Sequence, residues 1–156
     1  MNISLKGIID EDFVNYKVPS MILMFPHCTF KCGADICQNS SLAKAAEYEI
    51  EIDGICKRYL NNPITRAIVC QGLEPMDSFD ELYELIRNLR DSRCIDDVVI
   101  YTGYDKGEIV QYIDRLSAFQ NIVVKFGRYK TGEEPHFDEV LGVKLASGNQ
   151  YAERIS

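Results

Sequence analysis

Cys28, Cys32 and Cys37 stand within ten residues of one another in the stretch PHCTFKCGADICQNS. The spacing is C-x3-C-x4-C, and it uses half of the six cysteines in the chain. Thiolates at i, i+4 and i+9 of one loop can converge on one metal centre. A structural zinc site takes four ligands, usually with paired C-x2-C spacings. His27 is a poor candidate for the fourth, because neighbours in sequence rarely aim at the same ion. An iron–sulfur cluster is held as a rule by four cysteines. With three, one iron is left to a non-protein ligand, as a catalytic zinc site leaves one position open. The plain alternative is three free or buried cysteines that happen to be close. Their density, directly after an apolar strand, favours metal.

The rest of the composition narrows the setting. A chain of 156 residues suits one domain with a real core, covering 1–156. Acidic residues outnumber basic ones, 24 to 17, for a formal net charge of −7. Basic residues barely cluster outside KFGRYK, so nucleic acid is not an expected partner. No apolar run approaches the roughly 18 residues of a membrane span. The N-terminal MNISLKGIIDEDF lacks the basic-then-apolar pattern of a signal peptide. We expect a cytoplasmic protein, without membrane association and without stable disulfides. Cys56 and Cys70 fall in helical and apolar stretches and read as small core residues; Cys94 reads as a loop residue.

The elements that must position the cysteines can be read from periodicity. SMILMF (Ser20–Phe25) is a continuously apolar strand, expected to be buried on both faces. Similar strands are expected at 66–72 (RAIVCQG), 97–103 (DVVIYTG) and 121–127 (NIVVKFG). Helices fall between them. SFDELYELIRNLR opens with Ser78 and Glu81 in capping-box spacing and buries Leu82, Leu85, Ile86 and Leu89. DKGEIVQYIDRLSAF repeats the logic with Asp105 and Glu108, then Ile109, Ile113 and Leu116. An earlier helix around DGICKRYLNN ends before Pro63. Alternating buried strands and helices predict an α/β fold with a mostly parallel sheet. Ligands of such sheets collect at the carboxyl ends of the strands. Those ends carry the cysteine loop, GLEP, TGY and GRY, so four unusual loops share one rim.

This ordered set resembles the radical S-adenosylmethionine superfamily, and is most similar to the activating proteins of anaerobic ribonucleotide reductase. The resemblance rests on the cysteine loop ending in CQN, on GLEP (72–75) against the family's GGEP, and on YTGY (101–104). KFGRY and the tail ASGNQ (146–150) extend it over nearly the whole chain. There are departures. The usual cysteine spacing is C-x3-C-x2-C, and here two more residues precede Cys37. Ile36 and Gln38 flank that cysteine where an aromatic is usual. Lys125 replaces an acidic residue. Leu73 replaces a glycine, and a positive φ at that position would strain it.

The resemblance implies a short, incomplete (βα) barrel. It implies that Cys28, Cys32 and Cys37 hold three irons of a [4Fe-4S] cluster, whose fourth iron binds the amino and carboxylate groups of S-adenosylmethionine. Reductive cleavage would give a 5′-deoxyadenosyl radical, which takes hydrogen from a glycine of a large partner, a glycyl-radical enzyme such as anaerobic ribonucleotide reductase. A low-potential donor of flavodoxin or ferredoxin type would supply the electron. Gly72, Leu73 and Glu74 would face the methionine end, with Glu74 at its amino group. Ile36 and Gln38 would lie against the nucleoside, and Thr102 would reach the ribose. No catalytic residue beyond the cluster is implied. Tyr101 and Tyr104 read as strand-end packing and His136 as a surface loop residue. Two other readings stay open: a radical enzyme acting on another protein or small molecule, and a non-catalytic cluster- or zinc-binding interaction module.

Overall fold

The computed structural model describes residues 1–26 and 46–156. The expected strands form as β3 (Ser20–Phe25), β5 (Ala67–Gly72), β6 (Asp97–Tyr101) and β7 (Ile122–Phe126). They pair in parallel in the order β3-β5-β6-β7. Two antiparallel strands extend this sheet: β2 (Gly7–Asp12) against β3, and β10 (Tyr151–Arg154) against β7. The full order is β10-β7-β6-β5-β3-β2. The chain is therefore α/β with a mixed, mostly parallel sheet. Two small antiparallel pairs lie apart from it: β1 (Asn2–Leu5) with β4 (Tyr48–Glu51), and β8 (His136–Asp138) with β9 (Val143–Leu145).

Three helices are present among the described residues: α1 (Ile52–Leu60), α2 (Phe79–Asp91) and α3 (Val110–Leu116). Their apolar stripes cover one face of the sheet. Ile55 from α1, Leu82, Leu85, Ile86 and Leu89 from α2, and Leu116 from α3 join Met21, Leu23, Ile68, Ile100 and Val124 in one core. Alternate strand residues point the other way. Ile22, Val69, Val99 and Val123 form a second core with Tyr16, Leu141, Leu145 and Ala152. Period-2 alternation with both faces apolar is why these strands read as continuous hydrophobic runs.

Two local expectations need correction. The Ser78 and Glu81 spacing does not make a capping box. Residues Pro75–Ser78 form a 3₁₀ turn, the Ser78 hydroxyl has no partner, and Glu81 accepts from the Ser4 amide at 2.9 Å. The same spacing at Asp105 and Glu108 does make one, with the Asp105 amide 2.9 Å from the Glu108 carboxylate. His136 is not in a loop but opens β8, and its Nε2 donates to the Gln150 carbonyl at 2.6 Å.

The glycine requirement at the end of β5 falls on Gly72, not on Leu73. Gly72 has φ +99, and a Cβ there would lie 2.6 Å from the Phe25 nitrogen and 2.9 Å from the Met24 Cα. Leu73 is not among the residues with positive φ; its amide donates to the Phe25 carbonyl at 3.0 Å. The backbones of β3 and β5 thus close together at the rim without strain at Leu73. Gly72→Ala is expected to destabilise the protein by at least about 2 kcal/mol, from positive-φ strain and a backbone clash. Gly107→Ala, where nothing lies within 4 Å of the added carbon, should stay within about 0.5 kcal/mol of wild type. Urea denaturation of both variants checks this; equal losses would refute it.

Candidate functional site

The carboxyl ends of β3, β5, β6 and β7 lie side by side, and the described chain continues one residue past β3, to Pro26. Cys28, Cys32 and Cys37, with Ile36, Gln38 and His27, lie outside the described residues. The other expected site residues, Gly72, Leu73, Glu74 and Thr102, are brought together on this rim.

Glu74 is fully buried. Its Oε2 accepts from the Met76 amide at 3.0 Å and from the Thr102 hydroxyl at 2.8 Å, and its Oε1 accepts from the Gly103 amide at 2.8 Å. One carboxylate therefore ties the GLEP loop to the TGY loop. Burial pushes its carboxyl up to about 7, against the lowering pull of those three donors. Thr102 is also buried; its one proton goes to Glu74, and its oxygen accepts from the Tyr104 amide at 3.1 Å. Tyr104 donates to Asp77 at 2.6 Å, and Tyr101 donates to the Asn15 carbonyl. Both tyrosines make the strand-end contacts expected of them.

The next loop is tied in the same way. The Thr102 amide donates to the Lys125 carbonyl at 2.9 Å and the Gly127 amide to the Tyr104 carbonyl at 3.1 Å. The ASGNQ tail locks the GRY loop from the far side. Asn149 Nδ2 donates to the Arg128 carbonyl at 2.8 Å and Gln150 Nε2 to the Gly127 carbonyl at 3.2 Å. This explains physically why those two motifs belong together.

Reading the sequence as motifs missed Gly103 as a donor to Glu74, and it missed the position of Lys125. Lys125 is 7% exposed; its Nζ donates to the Gly127 carbonyl at 3.0 Å and lies 5.7 Å from the centre of the Tyr101 ring. Burial pushes it down to about 8, and the nearby Glu74 opposes that shift. A lysine inside the apolar run IVVKF was the signal that could have found it.

The described cysteines offer no centre of their own. Among the described residues no group of three or more His, Cys, Asp or Glu could hold a metal ion. Cys70 is completely buried, and burial holds its thiol well above the usual range; Cys56 is pushed up to about 11 and Cys94 also upward. Such thiols stay protonated and make poor ligands. Cys56 and Cys70 are core residues, as expected.

Glu74 sets a pH dependence. Its carboxyl titrates near 7 when folded and near its ordinary 4.5 when unfolded. The folded state binds the proton more tightly, so stability falls as pH rises through that window. Glu74→Gln should remove this slope, which amounts to about 3 kcal/mol between pH 4.5 and 7. Urea denaturation of both proteins across that range checks it; parallel curves would refute it.

A family described as a 4Fe-4S single cluster domain matches residues 19–144. That span begins just before β3 and includes the three-cysteine segment and the GLEP, TGY and GRY loops. No curated protein matches the chain. Among the described residues no helix is long and apolar enough to cross a membrane. With well over half of its length inside that match, the chain belongs to the 4Fe-4S single cluster domain family.

Proposed function

We propose that the protein is an iron–sulfur radical S-adenosylmethionine enzyme that generates a glycyl radical on a partner enzyme, in the manner of the activating proteins of anaerobic ribonucleotide reductase. The observation that carries this reading is the donor set. The matched span holds three clustered thiols, Cys28, Cys32 and Cys37, while the described part of the chain offers no alternative metal site. Thiolates are the ligands that iron–sulfur clusters take, so these residues fit the group and would hold it. When bound, a cluster of this kind supplies the single electron that cleaves S-adenosylmethionine to a 5′-deoxyadenosyl radical.

The chain's own residues bind and orient. Gly72 and Leu73 present backbone groups beside the end of β3. Glu74 faces the methionine amino group: its carboxylate has about four acceptor positions, three of them used. An ammonium at the fourth would favour the charged form of a carboxyl that burial holds near 7. Thr102, whose proton is spent on Glu74, meets the ribose only as an acceptor. By resemblance, Ile36 and Gln38 would be the residues assigned to the nucleoside. We read the sheet as a short, incomplete barrel whose open side admits a glycine loop of a large partner such as anaerobic ribonucleotide reductase. A flavodoxin- or ferredoxin-type donor supplies the electron, and the setting is cytoplasmic.

A second reading is a cluster-binding interaction module without turnover. In its favour, Glu74 and Thr102 are already well satisfied within the protein. Anaerobic reconstitution separates the two. The active reading expects an EPR signal after reduction that changes on adding S-adenosylmethionine, and formation of 5′-deoxyadenosine. An unchanged signal supports the module. For the ligand set, Cys32→Ala should lose the cluster and Cys94→Ala should keep it, as iron and sulfide analysis would show. Equal loading of the two variants would defeat the assignment.

A further inference from the structure

The alternation of β7 puts Lys125 on the face of the sheet opposite α1–α3, together with Val123. On the paired strands the same row holds Met24, Gln71 and Tyr101. Nearer the amino ends this face is apolar, with Ile22, Val69, Val99 and Val123. The row at the rim is where it turns polar.

Lys125 is a buried cation short of an anion. An ammonium has three protons to donate, and one goes to the Gly127 carbonyl, which Gln150 also uses. Among the described residues Lys125 makes no ion pair. The carboxylate whose field reaches it, Glu74, is held by donors of its own. A buried charge is costly unless it is paired, and the chain is not short of carboxylates, with 24 Asp and Glu against 17 Lys and Arg. The site is also off to one side: β7 lies three strands from β3, roughly 14 Å at about 4.8 Å per strand.

We propose that Lys125 is a specificity-determining residue that binds a carboxylate of the molecule entering this face. The inference rests on the proposed function for the side of entry. A carboxylate fits better than a phosphate. A single ammonium against an aromatic ring suits one negative charge, whereas phosphate sites use several donors or an arginine fork. The source is either an acidic side chain beside the target of a protein substrate or a small carboxylic acid.

The test uses the full-length, anaerobically reconstituted protein labelled with carbon-13 in lysine. The Lys125 Cε signal is identified by its loss in Lys125→Met. The probes are acetyl-Gly-Glu-Gly-amide, acetyl-Gly-Gln-Gly-amide and glutarate. We expect this signal to respond to a carboxylate probe and the glutamine peptide to bind at least about tenfold more weakly. Lys125→Met should lose that preference, and its melting temperature should rise because a buried charge is gone. A response to the glutamate peptide alone assigns an acidic protein segment; a response to glutarate as well, or to glutarate alone, assigns a small acid. Binding of both peptides with equal affinity, or no response to any of the three probes, overturns the proposal. The glutamate–glutamine comparison needs no variant. It needs no cleavage of S-adenosylmethionine either, so loss of the enzymatic reading would leave its result intact.

Discussion

The buried carboxylate of Glu74 is the constraint on which the rim depends. A charge-bearing group with no exposed surface must be met by donors, and here they come from two loops: Met76 on its own side, Thr102 and Gly103 across the gap. From that point a belt of hydrogen bonds runs along the strand ends. Leu73 donates to Phe25 at one side, Thr102 to Lys125 at the other, and Gly127 is held by Tyr104 and Gln150. Hydrogen bonds to charged groups contribute about 1.5–3 kcal/mol each, neutral ones about half that. The middle of the belt is therefore its strongest part. Losing the TGY loop would strip Glu74 of two of its three donors and leave it only Met76, and an under-satisfied buried carboxylate costs more than the bonds themselves.

The two cores restrict where function can be. Parallel strands connected by helices are buried on both faces. Here the second face is closed by Tyr16, Leu141 and Leu145 along its lower part. A ligand has no room against Ile22, Val69, Val99 or Val123. One pleat further toward the carboxyl ends, the same alternation delivers Met24, Gln71, Tyr101 and Lys125. The step from the closed apolar face to the row that holds Gln71 and Lys125 is thus one pleat. It is set by the period of two along four strands in register, and a one-residue slip of β7 would send Lys125 into the helix-covered core.

The legible parts of the fold were those written in apolar periodicity. β3 has the bounds its sequence suggests, and the buried stripe of α2 follows i, i+3, i+4, i+7. The antiparallel strands were hidden because they are short and polar: GIIDED and YAER carry no clean alternation. Capping spacing was legible only where tertiary contacts left it alone. Asp105 and Glu108 pair with each other, whereas Glu81 is drawn to the Ser4 amide of β1, 77 residues away in sequence. On the rim, motif likeness found Glu74 and Thr102 but not that they bind each other. That pairing depends on the register of β5 against β6, which a linear sequence does not display.

For a physical reason, the three thiols of the cysteine segment have no fourth thiol partner to draw on among the described residues. A fourth cysteine ligand from the described part of the chain would have to come from Cys56, Cys70 or Cys94. Cys70 is on the strand beside β3, opposite Leu23, but it points into the helix-covered core and is completely buried there. Cys56 packs in that same core, and Cys94 lies against it. Moving Cys56 or Cys70 to the rim would open a cavity and unpair a helix or a strand, a loss of several kcal/mol for a core side chain. Packing keeps these thiols away, and the same burial keeps them protonated and poor as ligands. In the proposed reading, the position they leave open is the one a small molecule must fill.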